Sequence, residues 1–559
     1  MHIVLDRRPD GGVTATELDA AAMPHQTVEL EASALAAYVR DREAGRPRWV
    51  WSSTARWYPA LLHARVRVQR CVDLALCRRI LRTSSLSAES ELARGPATGW
   101  DDIARLATAP AAEPSAPALF DVVEPAAAEL LDPVREFQAQ QAAATAAVQS
   151  GLLRLLLAAE SAGALVAEEI RFTGMPWRAD VHDQVLTESL GSRSPGGRHP
   201  ARLEALAAQI RELLNAPGLN PDSQPELLAA LRRVGLDVTS TRKWELRELD
   251  HPVIAPLLEY KNLYRLFTAN GWAWLDTWVH DGRFRPDYVV GGVVTGRWAT
   301  SGGGALQLPK NIRRAVVADP GWKLVVADAA QLEPRVLTGL ASDTAMADAG
   351  RGRDLYDAVV AAGVVTSRHE AKVAMLGAMY GATTGDSARL MPGLRRAFPR
   401  AIALVDHAAE QGERGEQVVS RLGRTSPRPG GSWREVQERA SQPGASPTDE
   451  RRARSQARDW GRFTRNFVVQ ASAAEWALCW MAELRLRLAE LGDGSLENAP
   501  HLVFFLHDEI MVHTPEQDAP RVVQLVRDAA AQAGRLLFGT FPVDFPLQIA
   551  TVDTYADAK

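Results

Sequence analysis

The sequence predicts an α+β protein built from several domains. A chain of 559 residues is too long for one hydrophobic core, and this length favours about three to four domains. Short apolar runs typical of strands, such as residues 47–51 and 324–327, occur among stretches with helical periodicity, such as residues 73–81 and 368–381. Residues 501–514 form two apolar runs around a polar centre, which predicts an antiparallel hairpin.

The composition is that of an ordinary globular protein, with 46% hydrophobic and 24% charged residues. The formal net charge of −4 excludes a basic field over the whole surface, but residues 351–465 hold 20 Arg and Lys against 13 Asp and Glu. Such a local basic excess suits phosphate binding. The three cysteines form no metal-ligand pair, which favours a reducing compartment.

No signal peptide is visible at the start of the sequence, and the most apolar stretch, residues 152–166, is too short to cross a membrane. We therefore expect a cytoplasmic protein without a membrane partner.

The N-terminal 108 residues mix strand and helix patterns and predict an α/β domain. An Ala/Pro-rich segment at residues 109–117 has the composition of a linker, and a helical stretch near residues 139–159 leads out of it.

The valine-rich strand at residues 324–327 delivers Asp328 at its end, and a helical pattern begins at Gln331. A carboxylate at a strand end can hold a metal ion. Taken alone, an Asp at such a place is more often a turn residue or a helix cap.

The hairpin at residues 501–514 carries His507, Asp508 and Glu509 at its turn. Two sheet-mounted carboxylates, Asp328 and Asp508, could share a pair of Mg²⁺ ions, because hard cations prefer oxygen ligands and paired metals promote phosphoryl chemistry. A solvated hairpin tip is the simpler alternative.

Three motifs in this order resemble those of the DNA polymerase I family, family A: Asp328 to Arg335, Arg368 to Gly381, and His507 to Glu509. The resemblance implies a right-hand fold with an antiparallel palm sheet and helical thumb and fingers, behind an α/β RNase H-like exonuclease domain. It divides the chain into residues 1–150 (exonuclease-like), 151–285 (thumb), 286–340 (palm), 341–465 (fingers) and 466–559 (palm).

A 3′-5′ exonuclease of this family needs a strand bearing Asp-x-Glu and two further aspartates. The only comparable stretch is residues 27–31, which lacks the Asp, and Asp73 resembles a structural residue. The N-terminal domain is therefore expected to be degenerate and inactive.

The resemblance assigns DNA contacts before the first motif to Arg297, in a Thr-Gly-Arg triplet, to Gln307, and to Arg313 in a basic spot. Within the first motif it assigns nucleotide contacts to Gln331 and to Glu333, whose side chain would crowd a ribose 2′-hydroxyl and so select deoxynucleotides. Ala329 and Pro334 depart from the family pattern.

The second motif predicts a helix on which Arg368, Lys372, Leu376 and Tyr380 recur every four residues and share a stripe. The resemblance implies that Arg368 and Lys372 hold the triphosphate and that Tyr380 lies near the templating base. Leu376 stands where the family has an aromatic residue. An exposed basic pair is the simpler explanation of Arg368 and Lys372 alone.

Residues 426–459 are rich in Pro, Gly, Ser and Arg, which predicts either a flexible basic insertion or a disordered loop without a role. Arg462, Asn466 and Gln470 then recur along a helix. The resemblance places them at the minor groove of DNA, where donors can sense pairing without reading sequence. A buried polar stripe is the alternative.

In the third motif the resemblance makes Asp508 the second metal ligand, with Glu509 assisting and His507 at the primer end. The catalytic set is then Asp328, Asp508, Glu509 and Lys372, with two Mg²⁺ ions, or Mn²⁺ in their place.

The implied function is primer extension with dNTPs on primer-template DNA, by a monomer associated with the nucleoid, without proofreading, in repair or replication. The alternatives are a polymerase that retains exonuclease activity and a DNA-binding accessory protein with a decayed site.

Overall fold

The computed structural model describes residues 1–102, 106, 131–194, 196, 198–304, 308–381, 385–492 and 495–558. The chain forms two compact units. The first comprises Met1–Thr173, Tyr288–Ala299 and Val325–Ala550, and the second comprises Gly174–Asp287, Thr300–Leu324 and Thr551–Lys559.

The N-terminal part of the first unit is a five-stranded sheet with helices packed on it, as the mixed strand and helix patterns predict. Its strands are β1 (His2–Arg7), β2 (Val13–Leu18), β3 (Pro24–Leu30), β4 (Arg48–Trp51) and β5 (Cys71–Asp73), in the order β3-β2-β1-β4-β5. Strands β1, β2 and β3 are antiparallel, whereas β4 and β5 run parallel to β1.

Six helices accompany this sheet in the described residues: α1 (Leu35–Glu43), α2 (Thr54–His63), α3 (Leu74–Thr83), α4 (Glu91–Arg94), α5 (Pro133–Ala146) and α6 (Ser150–Thr173). Asp73 is buried, and its carboxylate accepts hydrogen bonds from the amides of Thr54 (2.7 Å) and Leu76 (3.0 Å). It caps α3, which agrees with the structural role predicted for it.

Helix α6 is longer than the apolar stretch that the sequence indicated. With 24 residues it is long and apolar enough to cross a membrane, by length and composition only, so the prediction that the segment is too short was wrong. Its carboxylates nevertheless lie inside the protein: Glu160 pairs with Arg424 (2.8 Å), and Glu169 pairs with Arg67 (2.9 Å) and Arg485 (2.6 Å). These are the surroundings of a core helix, where buried charges are paired.

The second unit is mainly helical. It contains β6 (Met175–Pro176), α7 (Ala179–Leu190), α8 (Ala201–Leu213), α9 (Gln224–Arg233), α10 (Lys243–Arg247), α11 (Ile254–Asn270), α12 (Trp272–Trp278), β7 (Val279–His280) and β8 (Arg283–Phe284). The three short strands form a sheet in the order β6-β8-β7. Strands β9 (Asp287–Val289) and β10 (Ala299–Gly302) pair with each other.

The remainder of the first unit is a four-stranded sheet with long helices. Its elements are β11 (Trp322–Ala329), α13 (Leu332–Ala341), α14 (Thr344–Gly350), α15 (Leu355–Ala361), α16 (Arg368–Tyr380), α17 (Gly385–Ala397), α18 (Pro399–Glu413), α19 (Gly431–Ser441), α20 (Pro447–Ala489), β12 (His501–Leu506), β13 (Glu509–Pro515), α21 (Ala519–Phe538) and β14 (Leu547–Val552). The strand order is β12-β13-β11-β14, and β12 and β13 form the predicted antiparallel hairpin.

The segment at residues 426–459 is helical over most of its length, which corrects the expectation of a flexible or disordered insertion. Helix α19 occupies Gly431–Ser441, and α20 begins at Pro447. The Nε1 of Trp433 donates to the carbonyl of Gln456 (3.4 Å), and the Nε2 of Gln437 donates to the carbonyl of Ala453 (3.0 Å). Pro at the first helical position and Ser446 as N-cap explain why α20 can begin in so polar a segment.

Candidate active site

The two predicted metal-binding aspartates lie beside each other in the backbone, at one end of the two central strands of the four-stranded sheet. Strand β11 ends at Ala329, and the amide of Ala329 donates to the backbone carbonyl of Asp508 at 2.9 Å. Asp328 is therefore beside the β12–β13 turn that carries Asp508, although 180 positions along the chain separate the two residues. Both aspartates are half-buried, whereas Glu509 is buried with 3% of its surface exposed.

The turn between β12 and β13 consists of His507 and Asp508, since Leu506 pairs with Glu509. His507 has a left-handed backbone (φ +57°), which is uncommon for a residue with a side chain. The pKa of His507 lies below its ordinary value, because the surroundings desolvate the ring and the nearby Arg297 disfavours the imidazolium form. This turn holds His507 next to the aspartates in its neutral form at pH 7.

A polar cluster joins the Thr-Gly-Arg triplet, the first motif, the second motif and α20. Arg297 pairs with Glu333, and the hydroxyl of Tyr380 donates to Oε2 of Glu333 at 3.0 Å. The Nε2 of Gln470 donates to the same hydroxyl at 3.2 Å. Partial desolvation of the hydroxyl and the neighbouring Glu333 raise the pKa of Tyr380, so its hydroxyl stays protonated and can act as a donor. Glu333 is thus held from two sides.

The start of α13 explains how the first motif tolerates Pro334. The helix begins at Leu332, so Pro334 is its third residue, where the backbone amide would have no partner within the helix. Gln331 precedes the helix in a left-handed conformation (φ +57°), and its Oε1 accepts a hydrogen bond from the amide of Leu355 at 2.8 Å. Gln331 therefore supports the start of α15 in addition to any contact with a nucleotide.

Helix α16 spans the predicted second motif. Ser367 caps its start by accepting from the amide of Glu370 (3.2 Å), and Gly381 ends it with φ +71°. A Cβ at position 381 would lie 2.8 Å from Cγ of Arg462, so glycine also lets α20 pack closely.

The stripe on α16 is as the four-residue spacing predicts: Arg368, Lys372 and Tyr380 are exposed, and Leu376 is half-buried. The Nη2 of Arg368 donates to Asp354 at 2.8 Å, which raises the pKa of the guanidinium. Lys372 makes no ion pair with any described residue, so its charge is available to a ligand.

Arg462, Asn466 and Gln470 lie on α20 as predicted. Arg462 pairs with Asp459. Asn466 is half-buried, and its Nδ2 is a buried donor for which the described part of the chain offers no hydrogen-bond acceptor. Because buried amide donors are normally satisfied, Asn466 is poised to bind a ligand group that carries an acceptor.

Two predicted DNA contacts are not placed at this site. Arg313 belongs to the second unit, where its guanidinium stacks 4.4 Å above the ring of Tyr555. Gln307 lies outside the described residues.

Asp328 and Asp508 fit a Mg²⁺ site completed by a substrate. Among the described residues, no group of three or more His, Cys, Asp or Glu side chains could hold a metal ion by itself. Mg²⁺ commonly takes only one or two carboxylates from the protein and fills its shell with water and substrate phosphates. Two half-buried aspartates at the end of adjacent central strands match that donor set.

Two site residues were given no role by the sequence. Arg335 is buried, and it donates to Asp544 (2.5 Å) and to the backbone carbonyls of Gly350 (3.2 Å) and Arg353 (2.8 Å). It thereby links the first motif to two other segments of the chain.

Asp354 caps α15 and pairs with Arg368. An Asp before a helical pattern signals a cap, but its ion pair spans 14 positions and has no local signal.

The N-terminal sheet places its acids differently from the sequence-based expectation. Residues 27–31 belong largely to the edge strand β3, where Glu29 pairs with Arg8. The central strand β1 carries Asp6 near its carboxyl end, where partial desolvation raises the pKa of this exposed carboxyl. Arg56 is also close to Asp6.

Comparisons with known proteins agree with this geometry. The sequence model of DNA polymerase family A matches residues 197–555. The thermostable DNA polymerase I of Thermus filiformis is 26% identical over 382 residues, covering 63% of this chain and 41% of that protein. The DNA polymerase I of Chloroflexus aurantiacus is 28% identical over 344 residues, covering 57% of this chain and 34% of that protein. The chain therefore spans about two fifths or less of the length of these relatives.

A solved structure, the POL domain of Pol1 from M. smegmatis in complex with DNA primer-template and dNTP, superposes with a TM-score of 0.64 at 16% identity. The match covers 98% of this chain and 93% of that chain. It confirms the predicted fold class, a polymerase-type α+β fold, and the N-terminal α/β domain is consistent with the predicted exonuclease-like fold. Because the family model covers more than half of the sequence and the three motifs converge in the structure, the chain belongs to DNA polymerase family A.

Proposed function

We propose that this protein is a DNA polymerase that adds deoxynucleotides to the 3′ end of a primer on a DNA template. The observation that carries the proposal is the hydrogen bond from the amide of Ala329 to the carbonyl of Asp508, which brings Asp328 and Asp508, two distant aspartates, to the same end of the two central strands of the sheet. Family membership supports it, and so does the fold neighbour, which is described with primer-template DNA and dNTP.

Asp328 and Asp508 are the residues that would hold divalent metal, two Mg²⁺ ions or Mn²⁺ in their place. Bound there, the ions would supply activation of the primer hydroxyl and neutralisation of charge on the phosphates. In the reaction the primer 3′-oxygen forms a bond to the α-phosphorus. The bond between the α-phosphorus and the oxygen that bridges the α- and β-phosphates breaks, and pyrophosphate leaves. The protein's part is to align these atoms and to exclude competing geometries.

The triphosphate is proposed to bind along α16. Lys372 offers a charge without an ion-pair partner among the described residues, and Arg368 offers a planar guanidinium that bonds Asp354 before a ligand arrives. Cations on the triphosphate oppose the charge that accumulates on the leaving pyrophosphate. To bind the triphosphate, Arg368 must give up its bond to the carboxylate of Asp354. The strength of that ion pair therefore affects how tightly Arg368 binds the phosphate.

Selection of deoxynucleotides is assigned to Glu333. Its carboxylate is fixed by Arg297 and by Tyr380, so it cannot easily swing away from an added 2′-hydroxyl. A fixed obstacle discriminates better than a mobile one, because displacing it costs two hydrogen bonds.

Primer-template DNA is proposed to lie along the α20 stripe. Arg297, Asn466 and Gln470 are donors, and the minor groove offers an acceptor at every base pair, which permits recognition of pairing without sequence preference. The unsatisfied Nδ2 of Asn466 supports this assignment. His507, in the turn between β12 and β13, is proposed to contact the primer end.

We further propose that the protein acts without proofreading, in repair or replication. Residues 27–31 provide no Asp-x-Glu, and Asp6 on β1 has the cation Arg56 close to it, whereas a nuclease metal pair needs several acids and no competing cation. Release of labelled nucleotide from a primer 3′ end in the absence of dNTPs would contradict this part of the proposal.

The test is extension of a labelled primer with Mg²⁺ and dNTPs by the intact chain, by Asp508→Asn and by Asp348→Asn. Asp348 is an exposed residue paired with Arg351, so it serves as a matched control. Extension should fall by at least about a hundredfold in Asp508→Asn and stay unchanged in Asp348→Asn. DNA binding without extension by the intact chain would instead identify a DNA-binding accessory protein.

A further inference from the structure

A cavity of about 490 Å³ lies in the first unit where α1, residues 65–69 and the C-terminal end of α20 come together. This volume is within the range of small-molecule sites in proteins. Arg485, which lines it, lies roughly 22 Å along the axis of α20 from Gln470. The cavity is therefore separate from the candidate active site and takes no part in the function proposed above.

Four arginines line this cavity: Arg40, Arg65, Arg67 and Arg485. These four arginines have fewer than four carboxylate partners among the described residues. Arg67 and Arg485 share Glu169, and Arg65 pairs with Glu497 at 3.2 Å. Arg40 donates to a backbone carbonyl, that of Ala64, at 2.9 Å.

The remaining acid in the lining is already occupied. Glu43 accepts from the Nε1 of Trp49 (2.7 Å) and from the amide of Gln69 (2.7 Å). Even with Glu43 ionised, four guanidinium groups face three carboxylates. The described lining thus keeps a positive excess, which favours an anionic ligand.

Arg67 supplies an independent sign of a missing partner. Its side chain is only 9% exposed, and two of its nitrogens bond Glu169. The third, Nη1, is buried and has no hydrogen-bond acceptor among the residues that the structure describes. A buried charged donor without an acceptor is costly, and an oxygen of a bound phosphate would satisfy it.

The rest of the lining is mixed. Gln69, Ser495 and Asn498 are polar, whereas Leu486 and Ala489 offer an apolar surface on which a flat aromatic group can pack. A cluster of guanidinium groups next to such a surface matches a ligand with a phosphate at one end and a base at the other. We propose that this cavity binds a nucleoside phosphate, with its phosphate at Arg67, Arg40 and Arg65 and its base against Leu486 and Ala489.

The proposal can be tested by isothermal titration calorimetry of dAMP into the full chain in phosphate-free buffer. The test variant is Arg40→Glu with Arg65→Glu, because both side chains are exposed and neither belongs to the polymerase site. We expect one equivalent of dAMP to bind the intact chain and at least about tenfold weaker binding to the double variant. Arg414→Glu, which changes an exposed arginine paired with Glu416, should bind as the intact chain does.

Three further measurements establish where dAMP binds and which of its groups the cavity holds. Lys372→Ala should leave dAMP affinity unchanged, and a loss there would overturn the proposal by placing dAMP in the polymerase site. Deoxyadenosine should bind at least about tenfold more weakly than dAMP, because it lacks the phosphate. If pyrophosphate binds as tightly as dAMP, the base adds nothing to the affinity, and the proposed contact of the base with Leu486 and Ala489 is overturned.

Absence of dAMP binding to the intact chain up to about 5 mM, or equal binding by the double variant, would also overturn the proposal. Thermal unfolding of the double variant should match that of the intact chain, which excludes loss of folding as the cause. Primer extension by the double variant should be unchanged, so failure of this site and failure of the polymerase proposal give different results.

Discussion

Glu475 on α20 makes the stability of its surroundings depend on pH, and the size of this effect follows from the structure. Its side chain is fully buried, and it accepts hydrogen bonds from the hydroxyl of Ser420 and from the amide of Leu422 (2.8 Å). Burial raises the pKa of this carboxyl to about 7, although Ser420 and Arg424 act in the opposite direction. Glu475 thereby anchors the turn at residues 418–426.

The direction of the effect follows from proton binding. Between the ordinary pKa of 4.5 and about 7, the folded protein holds a proton at Glu475 that the unfolded chain has released. Stability of this region therefore falls as pH rises through that window and levels off above it. The gap between the two pKa values corresponds to about 3 kcal/mol in the free energy of opening.

Glu475→Gln removes this dependence while preserving both hydrogen bonds, since an amide can accept from Leu422 and donate to Ser420. Relative to the intact chain, the variant should gain about 3 kcal/mol of local stability between pH 4.5 and pH 8. Hydrogen exchange of peptides covering residues 418–426, corrected for the intrinsic pH dependence of exchange, measures this free energy.

The control for this experiment is Glu450→Gln, an exposed glutamate near the start of the same helix that pairs with Arg454. It should reproduce the pH dependence of the intact chain. If Glu475→Gln and the intact chain lose protection in parallel as pH rises, the reasoning about the buried carboxyl is refuted.

Three other predictions follow from single contacts. Glu333→Ala should raise incorporation of ribonucleotides relative to deoxynucleotides at least about tenfold in a competition assay, and unchanged discrimination would refute its role at the sugar. Asp354→Asn should lower the KM for dNTP at least about twofold by releasing Arg368, while a KM equal to that of the intact chain would show that the pair does not compete with the nucleotide. Arg485→Met should lower the free energy of unfolding by roughly 3 kcal/mol, because Glu169 loses one of its two cations, whereas Arg487→Met, at a surface pair on the same helix, should have little effect.

The elements that carry the three motifs could be predicted because their signals are local. A valine-rich run is sufficient to indicate the strand that ends at Ala329, and four-residue spacing is sufficient to indicate the helix Arg368–Tyr380. Two apolar runs around a short polar centre indicated the hairpin of β12 and β13.

Other features could not be predicted, because a local pattern does not show the partner of a side chain. Composition suggested a loose insertion at residues 426–459, yet contacts such as that of Trp433 with Gln456 hold it as helix. The sequence of α6 gave no sign that Glu169 would be buried and paired with arginines from distant segments. Tertiary partners here override the local composition.

By itself, the sequence determined which residues can do chemistry and on which kind of element each one lies, since periodicity and capping act over a few residues. Only the tertiary structure decided which of them meet. It placed β11 next to β13, so that Asp328 lies beside Asp508, and it joined Arg297, Glu333, Tyr380 and Gln470 into one cluster. The physical reason is that strand order and ion pairing depend on contacts between residues far apart in the chain, and these form only when the whole core is buried.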